Sequence, residues 1–296
     1  MNFPRFAIMI EDARSKASLW RLGFGLASIV VVTFVWVIGV VWLAALRMDV
    51  PLSAAMTDVM RLEDQKPAGT ALYLFLVVGM GVGTLLAARF WHGRGPVSLI
   101  GPGPRTLRHF MVAAGASWAA MAVFAAALLP FISSPVPNLD PWLWLVWFPL
   151  GLLVVAAQTG SEEVLFRGYL QSQIAARFSN PKVWMIVPAL LFGALHFMPS
   201  LPILPALSVV LVAILFGILA ADLTARTGSI GAAWGFHFAN NTLTVLFVSG
   251  QESLGGLGLY RSTMSFSEQM TATPLIAIEI LALTAIWALI RRLLSV

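Results

Sequence analysis

The chain has 296 residues, of which 59% are hydrophobic and 10% charged, with no cysteine and a formal net charge of +5. Soluble domains carry roughly 25% charged residues; a water-facing surface cannot be covered with 10%, so composition excludes a soluble globular protein and points to one polytopic membrane domain. The missing cysteines exclude disulfide frameworks and thiolate chemistry. A pI near 10.2 is no argument for nucleic acid, which is excluded as a partner, because excess Lys and Arg in a membrane protein marks loops held on the cytoplasmic side.

The first residues place Phe6, Met9 and Ile10 at helical spacing beside Glu11, Asp12, Arg14 and Lys16. That pattern predicts a short interfacial helix in contact with the bilayer, not a cleavable signal peptide. Crossing the hydrocarbon layer takes about 20 mostly apolar residues. Eight stretches meet or approach this: 22–46, 70–88, 109–132, 142–165, 183–197, 203–221, 229–248 and 274–290. The second carries Gly79 and Gly83, a GxxxG pair that predicts close helix packing. Residues 91–106 are rich in Gly and Pro and read as a cytoplasmic loop, with His92 and His109 at its interfacial edges. The fifth stretch is the shortest, lies between Pro181 and Pro199, and needs tilt or a thinned bilayer. With the N-terminus inside, 14 basic residues fall on the inner loops and four, Arg47, Arg61, Lys66 and Arg261, on the outer ones. The expected fold is therefore all-α: a multi-pass protein of the cell (cytoplasmic) membrane with about eight transmembrane helices and both termini cytoplasmic.

Ionisable residues within a span cost about 2.5–3.5 kcal/mol each at its centre, so the exceptions are informative. Asp222 precedes Arg226 by four residues and is expected to pair with it; Glu279, in the outer part of the last span, reaches the interface. Glu162, Glu163 and Arg167 stand together late in the fourth stretch. Glu163 and Arg167 are four apart, ~40° from each other around a helix, which is ion-pair spacing. Glu162 lies about 140° from Arg167 and so points to another face, a free carboxylate of the kind a general base requires. An interfacial charge cluster accounts for the same three residues. The histidines extend the set: His196 ends Phe192-x-x-x-His196, and His237 shares a helical face with Asn241 four residues on. At ~1.5 Å per residue, Glu162, His196 and His237 all reach similar depths from the cytoplasmic side.

Glu162-Glu163-x-x-x-Arg167, Phe192-x-x-x-His196 and His237-x-x-x-Asn241, in that order on successive spans, resemble the three motifs of the CPBP intramembrane proteases. These comprise the type II CAAX prenyl endopeptidases and bacteriocin-processing or immunity relatives, the Abi family. The resemblance makes 142–248 the catalytic core (transmembrane helices four to seven). Residues 1–141 then supply an interfacial helix and three spans, and 249–296 an extracytoplasmic loop and the last span. It implies an intramembrane endopeptidase whose site opens to the cytoplasmic side and whose substrate is a membrane-associated peptide or protein, lipidated in the CAAX branch. In the implied mechanism Glu162 and His196 activate water, His237 and Asn241 stabilise the oxyanion, and Glu163 with Arg167 braces the first motif. The family has also been described as metal-dependent, and a Glu with two His suits Zn²⁺; spacing alone does not choose between the two chemistries. Site-2, aspartyl and rhomboid-like intramembrane proteases fit less well, since HExxH, GxGD and GxSG are lacking. A non-catalytic immunity or scaffold protein binding a peptide in the same cavity, and an ion-coupled transporter, are the alternatives.

Overall fold

The computed structural model of the chain describes residues 3–60, 66–128, 134–250, 254–265, 267–268 and 273–296. Helices α1 (Pro4–Met9) and α2 (Glu11–Arg14) precede the long helix α3 (Leu19–Met48). They are followed by α4 (Leu52–Met60), α5 (Pro67–His92), α6 (Pro96–Ile100) and α7 (Gly103–Leu128). Then come α8 (Pro141–Glu163), which runs through a π-helical segment (Val164–Gln171) into α9 (Ser172–Arg177), and α10 (Pro181–Leu195). The chain closes with α11 (Ile203–Thr227), α12 (Gly231–Thr242), a second π segment (Leu243–Phe247) and α13 (Thr273–Leu293). Two-residue strands β1 (Val136–Pro137), β2 (Val248–Ser249) and β3 (Tyr260–Arg261) pair in the order β1-β3-β2.

Capping explains several starts. Asp140 accepts from the backbone N–H groups of Trp142 and Leu143 at 2.9 and 3.0 Å, and Pro141 occupies the first turn of α8. Asn180 and Pro181 repeat the device at α10.

The chain is an all-α polytopic membrane protein. Among the described residues five helices are long and apolar enough to cross a bilayer: Leu19–Met48, Pro67–His92, Pro96–Ala127, Pro141–Arg177 and Ile203–Thr227. The other three predicted spans are helical but fall outside that set. α10 has 15 residues, α12 has 12 before its π continuation, and α13 has 21. Arg61 and the end of the third predicted span, 129–132, lie outside the described residues. Phe34 and Val35 of α3 are about two-thirds exposed (68% and 66%), which suits a lipid-facing surface where apolar exposure carries no penalty.

Close approaches bind the bundle. At Gly79 a Cβ would meet the Trp36 ring at 2.6 Å, and at Gly83 the Ile29 backbone at 3.1 Å, so the GxxxG pair does seat α5 on α3. α12 crosses α7 just as closely: a Cβ on Gly235 would run into the Phe110 carbonyl and reach Ala114 N at 2.9 Å. We expect Gly235→Ala to cost about 1–3 kcal/mol through overpacking, read as a lowered thermal unfolding midpoint in detergent, whereas Gly95→Ala, which meets nothing within 4 Å, should leave it unchanged.

The N-terminal helices and the 91–109 segment depart from expectation. The apolar face of α1 and α2 is not on a membrane surface: Phe6 and Ile10 are fully buried, and Phe6 packs on the ring of Trp184 at 5.0 Å. Residues 91–106 are not a plain loop, since α6 and the start of α7 lie within them. His92 and His109 are interior, not interfacial. His92 sits between the Lys16 carbonyl (3.0 Å) and the Tyr169 hydroxyl (2.9 Å), and His109 bonds Ser229 at 3.0 Å. Arg94, 1% exposed, donates to Ser172 Oγ and to the Ser98 carbonyl, both at 2.7 Å. Burial lowers its pKa to about 10, with Asp12 opposing. Asp222 meets Arg226 as expected (2.8 and 2.9 Å) and also accepts from Trp287. Buried polar groups of this kind need internal partners because no water is available to supply them.

Candidate active site

The last two residues of α8 and the middle of α12 carry the site. Glu163 is fully buried, and its Oε2 lies 3.2 Å from Arg167 Nε, the i, i+4 pair that spacing predicted. Arg167 is itself 2% exposed, and its guanidinium faces the rings of Phe192 (4.7 Å), Phe216 (5.6 Å) and Phe166 (5.8 Å). Among the described residues its two Nη atoms have no hydrogen-bond partner. Ring faces attract a cation, so the Glu163 carboxylate and three phenyl rings surround the guanidinium.

Glu163 Oε1 accepts a hydrogen bond from His237 Nδ1–H at 2.8 Å. That bond leaves Nε2 of His237 to face the other carboxylate, Glu162 Oε2, at 3.6 Å. His237 is 4% exposed and flanked by Phe192 and Phe216, whose ring centres lie 5.9 and 5.0 Å away. Glu162 is therefore not the free carboxylate that a regular helix implies: it shares His237 with its neighbour, and its Oε1 accepts from Gln158 Nε2 at 2.6 Å. Gln158 Oε1 in turn accepts from Asn241 Nδ2 at 3.1 Å. Glu162 Oε2 is left buried with no hydrogen-bond partner among the described residues.

His196 stands apart. It caps the C-terminus of α10, and its Nδ1–H donates to the Phe192 carbonyl at 2.7 Å, which frees Nε2. Its ring lies 4.4 Å from the Phe192 ring, and Phe192 in turn borders His237. No hydrogen bond or ion pair joins His196 to the Glu162 cluster among the described residues. Among the described residues no group of three His, Asp or Glu side chains is placed to hold a metal ion.

Residues 141–243 match the family described as "Type II CAAX prenyl endopeptidase Rce1-like". This segment is similar to an Rce1-like domain. The chain is also 28% identical over 191 residues to "Uncharacterized protein YyaK" of Bacillus subtilis (strain 168), an alignment that covers 62% of each chain. No solved structure matches. The matched segment runs from the first residue of α8 past the end of α12 and contains every side chain of the cluster.

Two features of the matched segment escaped sequence reasoning. Gln158, 6% exposed, precedes Glu162 by one turn, and an amide in an apolar helix at i−4 from a key carboxylate is a signal that was there to find. Gly168 is the second: a Cβ there would meet the Leu99 carbonyl at 2.7 Å, so its absence lets α6 lie against the π segment. The π segment itself follows Glu163 directly and the second one follows Thr242. Such departures from α geometry occur often at functional sites, and no residue pattern announces them.

Proposed function

We propose that the chain is an intramembrane endopeptidase of the CAAX-processing type, hydrolysing a peptide bond in a membrane-associated peptide or protein at the cytoplasmic side of the cell membrane. The observation that carries it is the buried His237 ring between two carboxylates, with Glu162 Oε2 left without a hydrogen bond among the described residues. An ionised carboxylate accepts only, so this oxygen takes a hydrogen bond from a water entering the site. The water gives its proton to Glu162 as its oxygen attacks the carbonyl carbon, and Glu162 then passes that proton to the leaving amine, the ordinary work of a general base and acid. Asn241 and His237, the latter when Nε2 carries a proton, donate to the oxyanion from fixed positions in a dry site. Glu163 and Arg167 hold His237 in place. His196, with Nε2 free beside the Phe192 ring, contacts the water or the amine in the substrate complex.

The test is cleavage by the purified protein in lipid nanodiscs of a farnesylated CAAX peptide and a panel of unlipidated membrane-anchored peptides. Wild type is expected to cut at least one, and Glu162→Ala and His196→Ala to cut it at about 1% of that rate or less. Variants as active as wild type contradict the assignment. A second expectation follows from the chemistry: chelating divalent metal leaves the rate within about two-fold, because a carboxylate base needs none. A loss restored by Zn²⁺ would show that a metal activates the water instead.

A further inference from the structure

The side chains of Gln158 and Asn240 join Glu162 and Asn241 into one line of hydrogen bonds, and the charge at one end sets its direction. Asn240 Nδ2 donates to Asn241 Oδ1 at 3.4 Å, Asn241 Nδ2 to Gln158 Oε1 at 3.1 Å, and Gln158 Nε2 to Glu162 Oε1 at 2.6 Å. An amide presents a donor at one end and an acceptor at the other, whereas an ionised carboxylate can only accept. Glu162 therefore obliges Gln158 to turn its NH₂ inward, and Gln158 then offers only its oxygen to Asn241. Asn241 must answer with its own NH₂. One of the two Nδ2 hydrogens is used in this bond and the other is left to donate elsewhere. Reversing Gln158 would set its oxygen against the carboxylate and its NH₂ against that of Asn241, two repulsions in a site where Gln158 is 6% exposed.

We infer that Gln158 is a positioning residue that ties the ionised state of Glu162 to the donor orientation of Asn241, so that base and oxyanion donor are made ready together. The inference rests on the proposed roles of Glu162 and Asn241 and extends them to a residue outside the three motifs. Gln158 touches no reacting atom and acts through its two neighbours. Gly151, two turns earlier on α8, packs against Leu246, and Trp144 Nε1 donates to the Leu246 carbonyl at 2.7 Å. The frame that presents Gln158 to α12 is thus held independently of Gln158 itself.

Two readouts test this. In cleavage of the farnesylated CAAX peptide, Gln158→Leu should lower kcat about 10- to 100-fold with KM within about two-fold, the scale of a misplaced catalytic group. In the Asn241→Ala background the same change should cost less than about two-fold, because the oriented group is gone. Independent and multiplicative losses, or a change confined to KM, overturn the inference. The second readout needs no turnover: ¹⁵N side-chain amide spectra of the protein in nanodiscs. The Asn241 amide signal, identified by its loss in Asn241→Ala, should move in Gln158→Leu and also in Glu162→Gln, where the forced polarity disappears. A signal unmoved in both overturns the inference whatever the activity. Should Glu162→Gln cleave at the wild-type rate, the proposed function fails with it. Should Glu162→Gln be inactive while Gln158→Leu matches wild type, only the role of Gln158 fails.

Discussion

Glu162→Gln is expected to reduce peptide cleavage by about 10²- to 10⁴-fold, the span attributed to a positioned general base, without unfolding the protein. The substitution keeps the shape of the side chain, and its amide can still hydrogen-bond Gln158, now in either orientation. What it removes is the charge on an oxygen that is buried, 3.6 Å from His237 Nε2 and without a hydrogen-bond partner among the described residues. Glu163→Gln should behave differently although it changes the adjacent residue. Its oxygen already accepts from His237 Nδ1–H and faces Arg167, so its loss disturbs an ion pair and the seat of the imidazole together. Kinetics and thermal unfolding measured on both variants separate the roles: Glu162→Gln is inactive and stable, Glu163→Gln less active and less stable.

Arg167→Met should be the more damaging change for stability, by about 3–5 kcal/mol, because removing one member of a buried ion pair strands the other. Glu163 is fully buried, and the three phenyl rings around the guanidinium cannot neutralise it. The double variant Glu163→Gln with Arg167→Met should recover most of that loss, since exchanging a whole buried pair for neutral side chains of similar volume is often close to neutral. Recovery would be visible in the unfolding midpoint but not in activity, because His237 would still lack its carboxylate. A double variant no more stable than Arg167→Met would show that the arginine holds the bundle by shape, not by charge.

Sequence reasoning reached the architecture through scarcity. With 31 charged residues among 296, apolar stretches stand out, and those behind α3, α5, α7, α8 and α11 all appear as helices of spanning length. The pairs Glu163–Arg167 and Asp222–Arg226 and the packing of Gly79 and Gly83 were legible because each depends on a period within one helix. What stayed hidden depends on contacts between helices. No periodicity tells that Phe6 meets Trp184 while Ile10 joins the same core, or that His92 finds Tyr169. The two faces assigned to Glu162 and Glu163 assumed a regular helix whose neighbours follow from that helix alone. Instead, one imidazole from α12 reaches both carboxylates, one at each ring nitrogen.

The central claim is that a water activated at Glu162 cuts a peptide bond. It is met most directly by mass spectrometry of the farnesylated CAAX and membrane-anchored peptides after incubation with the nanodisc-held protein in H₂¹⁸O. The expected result is two fragments from at least one peptide, with one ¹⁸O in the new C-terminal carboxylate, and intact peptide with Glu162→Gln. Intact peptides throughout with wild type, or labelled fragments from Glu162→Gln at the wild-type rate, would contradict it.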